Sequence, residues 1–178
     1  MIRSDRLLYD IAPEGFGERN CEAWGEWRER AHDALPQFPD EVLEQWVYRH
    51  WKAVLCNWGW LDFQAMQFEK QWWSTEDVLA KIHSPHQDVI SKLTRRMSNP
   101  IFQRSWLVQK MQAQGTWPIA PIVLECSEDL FATNGRHLVA PYNLLEGHHR
   151  MGYLKGLVDS GQHCEKQHPV WVAQLPLH

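Results

Sequence analysis

The chain has 178 residues, 44% of them hydrophobic and 22% charged, which suits one large or two small packed domains of an ordinary globular protein. Its formal charge of −4 supplies no overall electrostatic footprint for duplex nucleic acid, which needs clustered Lys and Arg, although local basic patches stay open. No apolar run approaches the about 18 residues of a membrane span, and "MIRSDRLLYDIAPEG" lacks the apolar segment of a secretory signal, so a cytoplasmic protein away from membranes is expected.

Helical spacing dominates residues 18 to 113. Cys21, Trp24, Trp27 and Ala31 recur on one face until Pro36 and Pro39 end the segment. Asp40 is placed to cap a second helix, whose Val42, Leu43, Trp46, Val47, Trp51, Val54 and Leu55 form a broad apolar stripe. Ser74 with Asp77 marks another start. Ser84-Pro85-His86-Gln87 marks a third, with Ser at the cap, Pro at the first helical position and Gln at the third. Val89, Ile90, Leu93 and Met97 line that helix, and one more is expected from Asn99 or Pro100 to Ala113, stopped by Gly115.

After Gly115 the period becomes extended. "WPIAPIVLE" reads as a strand whose prolines favour an edge or entry position, and Asn134-Gly135 in "LFATNGRHLV" supports a two-residue hairpin. Tyr142 to Leu145 continue as a strand, a helix follows from Gly147 to Val158 with Gly161 as its stop, and "PVWVAQLP" closes the chain as a strand. The expected fold is α+β: a helical, Trp-rich N-terminal part over residues 1–115 packed on a small mixed β-sheet over residues 116–178. The two parts make either one compact unit or two.

Eleven tryptophans are the compositional outlier. Stacked aromatics can bind bases or sugars. Here their spacing follows the helices, so core filling is the expected role, and only the adjacent pair Trp72-Trp73 points apart and leaves one ring for a partner. The four cysteines, at 21, 56, 126 and 164, show no CxxC spacing and read as free thiols. His163, Cys164 and His168 are close in sequence, but Pro169 disfavours the helix that would align them and no fourth ligand is evident, so no metal site is assigned.

The chemistry concentrates in "YNLLEGHHRMGYLKGLV", residues 142–158. A helix starting near Gly147 gives the first-turn amides no acceptor within the helix, and its dipole favours negative charge there. Gly147 lets an oxyanion approach the backbone, and Arg150 can grip a phosphate with two parallel donors. His148 and His149 add donors that change charge near neutral pH, and either can move a proton. Three potentially cationic side chains in a first turn oppose the dipole, so an anionic partner is the economical explanation.

Glu146-Gly147-His148-His149-Arg150 between strand and helix, followed by "HPVWVAQL", resembles the ParB/sulfiredoxin-like superfamily over residues 117 to 175. The closest local form is the acidic-Gly-His-His/Thr-Arg segment of free serine kinases and their relatives. The resemblance implies a small α+β fold holding a nucleotide or phosphate with Gly147, His148, His149 and Arg150. It further implies Glu146 assisting a metal or reacting hydroxyl and a second acid, Glu125, as general base, with Glu128 and Asp129 in the following turn. The implied cofactor is ATP or another nucleotide with Mg²⁺, and the implied chemistry is phosphoryl transfer or phosphodiester hydrolysis. Two alternatives remain: a non-catalytic interaction or regulatory module with a protein partner, and nucleic-acid processing, which the net charge disfavours.

Overall fold

The computed structural model describes residues 5–97, 99–132 and 134–175. The chain is α+β and forms two compact units. The first comprises the described parts of residues 1–69, 131–136 and 173–178, and the second comprises residues 70–130 and 137–172. The change of period near residue 115 falls inside the second unit.

The first unit is helical. It holds α1 (Asp5–Asp10), α2 (Trp24–Ala34), the single turn α3 (Asp40–Val42), a π-helical stretch Leu43–Tyr48, and α4 (Trp51–Trp58). The apolar stripe from Val42 to Leu55 is thus not one continuous α-helix. The Arg49 amide donates to the Glu44 carbonyl five residues back, and the turn at Arg49 and His50 separates the π-helix from α4. Asp40 does not cap: Pro39 stands at the N-cap, and the Asp40 carboxylate instead receives Arg28 and His32.

Tryptophans fill this core. Trp27 and Trp46 are fully buried, Trp46 stacks on Phe63 at 5.4 Å, and Phe63 stacks on Phe38 at 5.8 Å. Each indole N–H in a buried setting needs an acceptor, and Trp27 donates to the Ile11 carbonyl at 2.6 Å and Trp51 to the Leu8 carbonyl at 2.9 Å. These rings are packing elements, as their helical spacing predicts.

A mixed five-stranded sheet has the strand order β1 (Gln67–Ser74), β7 (Gln167–Gln174), β3 (Ile122–Glu125), β6 (Tyr142–Glu146), β2 (Ile82–His83), and the second unit carries β3, β6, β2 and most of β1 and β7. β2 pairs with β6 in parallel and β3 pairs with β6 antiparallel. β1 and β2 lie in a region read as wholly helical. The segment "QFEKQWWS" lacks clean alternation because β1 is an edge strand with most of its side chains at least partly exposed. Trp72 and Trp73 do point apart. Trp72 is 64% exposed, whereas Trp73 is buried against Tyr142 with ring centroids 4.5 Å apart.

Helices α5 (Thr75–Lys81), α6 (Gln87–Arg96), α7 (Trp106–Gln114) and α8 (His148–Asp159) complete the unit. Ser74 caps α5 by accepting from the Asp77 amide at 3.0 Å, and Gly115, at φ 66°, ends α7 as expected. α6 starts later than its sequence suggests: Ser84 accepts from the His86 amide in a local turn, and His86 takes the N-cap position. α7 likewise starts at Trp106, capped by Ser105, after a 3₁₀ turn at Phe102–Arg104. The Asn134-Gly135 hairpin joins β4 (Leu130–Phe131) to β5 (His137–Leu138) through a loop longer than two residues, closed by the Ala132 amide on the Arg136 carbonyl. β7 ends at Gln174, and Pro176 lies outside the described residues.

A candidate anion site at the start of helix α8

Strand β6 enters the turn with Asn143, Leu144 and Leu145 all buried, which anchors the chain before the helix begins. Gly147 is then the N-cap with φ 113°, a conformation open to glycine and costly for any side chain. A Cβ there would also sit 2.7 Å from the Pro121 side chain and 3.3 Å from the Arg150 Nε. Glycine is therefore required by the backbone and by the packing around it.

Two further glycines set the helix in place. A Cβ at Gly152 would meet Leu93 Cβ at 2.5 Å, and one at Gly156 would meet Met97 Cγ at 2.6 Å. These positions form a seam that lets α8 lie directly on α6. The contact residues ascend together along both helices, so α6 and α8 run in the same direction with their N-termini side by side. The His86 and His148 rings meet there, 5.5 Å apart.

Arg150 turns inward. It is 6% exposed, forms an ion pair with Glu146 and donates from Nη1 to the Ile119 carbonyl at 3.3 Å. Glu146 and Arg150, both expected at the site, are thus brought together as partners of each other. His149 faces outward, with the Tyr153 hydroxyl 3.4 Å from its Nδ1. Although His149 counts among the exposed residues, the protein atoms crowding its ring and, second, the Arg96 charge hold its pKa below the usual imidazole range. It is accordingly a neutral imidazole at pH 7, able to accept a proton. Burial pushes the Tyr153 phenol up.

Glu125 is not at this turn. In the antiparallel register it pairs with Tyr142, whereas Glu146 pairs with Ile122, so the two residues stand at opposite ends of the β3–β6 ladder, their backbones about 10 Å apart along the strands. The Tyr142 hydroxyl donates to Glu125 Oε1 at 3.3 Å. Asp129 is occupied in bracing the next loop, where it accepts from the Ala140 amide at 2.9 Å and contacts His137 at 3.1 Å. The amide first, then His137, holds that carboxyl below its ordinary range.

No family model, curated protein or solved structure matches the chain.

Three further residues lie around the turn, none of them marked by the local motif: His86, Tyr153 and Arg96. The seam between α6 and α8 brings His86 and Arg96 there, and its marks in the sequence, Gly152 and Gly156, read locally as helix weakeners, whereas Tyr153 lies one turn after His149 on α8 itself. Among the described residues no group of three or more His, Cys, Asp and Glu could hold a metal ion. His168, fully buried, bridges elements of the fold: its Nε2 lies 3.0 Å from the Thr75 hydroxyl and its Nδ1 2.8 Å from that of Thr116. Burial pushes its pKa down and that of Cys164, 3.9 Å away, up. A neutral imidazole bonded on both sides and a protonated thiol are structural members.

Proposed function

We propose that the turn Gly147–Arg150 binds the phosphate of a nucleotide or another phosphorylated small molecule, in a protein of ParB/sulfiredoxin-like type. One observation carries the reading: a twelve-residue helix opens on glycine with no acidic residue in its first turn and with His148, His149 and Arg150 in its place. The strand, glycine N-cap and helix also occur in the order that the resemblance calls for. His149 and the first-turn amides are the groups that meet the ligand, while Arg150, its charge balanced by Glu146, braces the turn from behind.

Phosphoryl transfer or phosphodiester hydrolysis is the chemistry we assign, with His148 or His149 moving the proton and Glu146 as the nearest carboxylate. A nucleotide-borne Mg²⁺, which would neutralise charge on the phosphates, needs one or two protein carboxylates; Glu146 is the nearest, and it would have to exchange its Arg150 partner to meet the ion. Glu125, at the far end of the ladder, belongs to a different place in the sheet. We assign the protein to the cytoplasm, in keeping with four free cysteines and with no helix among the described residues long and apolar enough to cross a membrane.

The second reading is a non-catalytic interaction or regulatory module. What favours it is that Gly147 is required by Pro121 and that Arg150 is engaged with Glu146 and Ile119, so fold alone accounts for two of the motif residues. A thermal-shift screen of nucleotides and sugar phosphates, with and without Mg²⁺, separates the two. Phosphate binding predicts stabilisation by at least one ligand in the wild type and its loss in the double variant His148→Ala/His149→Ala. No shift with any ligand favours the module.

A further inference from the structure

Charge is unevenly spread along the chain. Residues 89–124 hold five of its 18 Lys and Arg and none of its 22 Asp and Glu, in a protein whose net charge is −4. The five are Lys92, Arg95, Arg96, Arg104 and Lys110. Among the described residues only Lys92 has an acidic partner, Asp88 at 3.5 Å, which leaves the remaining four as uncompensated positive charge on the second unit.

The same stretch exposes apolar and aromatic side chains. Ile101 is 77% and Trp106 58% exposed, and the half-buried Phe102 carries the Arg96 guanidinium over its ring at 4.7 Å. A large ring left in water is a cost that a solvated helix face does not require. Basic residues with interleaved aromatics are what a single strand needs: phosphates are met by charge, and unstacked bases find flat faces to cover. Duplex nucleic acid gives no such access to its bases, and an acidic peptide would use the charges without using the rings.

We propose that the C-terminal turn of α6, the segment 99–105 and the first turn of α7 form a binding surface for single-stranded nucleic acid. Arg95, Arg96 and Arg104 contact phosphates, while Trp106 and the Phe102–Arg96 stack receive bases. The surface shares Arg96 with the surroundings of the α8 turn, and its other members, Arg95, Phe102, Arg104 and Trp106, remain if that turn binds nothing.

Fluorescence anisotropy on the full chain tests this, with labelled oligothymidylate and oligouridylate of about 16 nucleotides, the upper end of a one-domain site. Affinity should fall with salt, with a log–log slope of about −2 for three phosphate contacts at about 0.7 each. Arg95→Glu/Arg104→Glu should weaken binding more than tenfold and flatten the slope. Trp106→Ala should weaken it roughly tenfold at every salt concentration with the slope unchanged, since a stacked base carries no counterion. All three side chains are exposed, and unchanged circular dichroism and melting temperature establish that the variants fold. The proposal is overturned if no single strand binds, if the charge reversal leaves affinity unchanged, or if duplex DNA or polyglutamate of equal length binds as tightly as the single strands.

Discussion

Helices α5 and α8 lie in the same unit and each follows a strand almost without a break, yet their first turns carry opposite charge. α5 starts at Ser74, which caps the Asp77 amide, places Glu76 and Asp77 in its first turn and ends on Lys81, which closes a 2.7 Å ion pair with Asp77. Every choice there favours the helix itself. α8 starts at a glycine without a side-chain cap and carries two histidines and an arginine. Its start is instead secured from outside, by the close packing of Pro121 on Gly147 and of α6 on Gly152 and Gly156. Tertiary packing thus frees the first turn of α8 from stabilising its own helix, and that freedom is what a binding turn needs.

The contrast breaks most readily at Arg150. Replacing it with Ala leaves the Glu146 carboxylate largely buried and uncompensated, and urea unfolding should show a loss of about 3–5 kcal/mol. The double variant Glu146→Leu/Arg150→Met should recover much of this, because the pair itself contributes less than its breakage costs. Next in size is Gly152→Ala. The Cβ meets Leu93 and the Ile90 carbonyl, and overpacking of about 1–3 kcal/mol exceeds the roughly 1 kcal/mol that alanine returns in helix propensity. A net loss in melting temperature is expected, and a gain would mean that α6 does not press on α8.

Ser74→Ala sharpens the other side of the contrast, since α5 depends on its own cap. Denaturant unfolding should show a loss of about 1 kcal/mol. The smallest effect near neutrality comes from pH. His168 and His149 both have folded pKa values below the unfolded value of 6.5, so the unfolded chain binds more protons than the folded one below that pH. Stability from these two residues is complete above about pH 6.5 and declines as pH falls toward the folded values. Unfolding free energies measured across that window should slope downward with acid, less steeply in His168→Gln.

How much of this was visible beforehand follows from the kind of signal each feature leaves. The strand, turn and helix from Tyr142 to Val158, the Ser74 start and the Gly115 stop are set by adjacent residues, so local sequence announces them. β1 left no mark because an edge strand with one buried ring near its end has no alternation to read. The late start of α6 reflects a competing local bond by Ser84, and α7 starts where Ser105 caps it, after the 3₁₀ turn. At the site, Glu146 and Arg150 share a turn and were found together, whereas the distance of Glu125 depends on strand register, which spacing along the chain does not encode. His86 reaches His148 only through a glycine seam between two helices more than fifty residues apart in sequence.

The central claim is that the first turn of α8 binds phosphate. The most direct measurement is a titration of the ¹⁵N-labelled protein with Mg²⁺-nucleotide and with inorganic pyrophosphate, following backbone amide shifts. Phosphate binding at this turn gives the largest, saturable changes at Gly147, His148, His149 and Arg150, with smaller ones at His86 and Tyr153. Amides of that turn that stay in place, while the α6–α7 face or nothing at all responds, would contradict it.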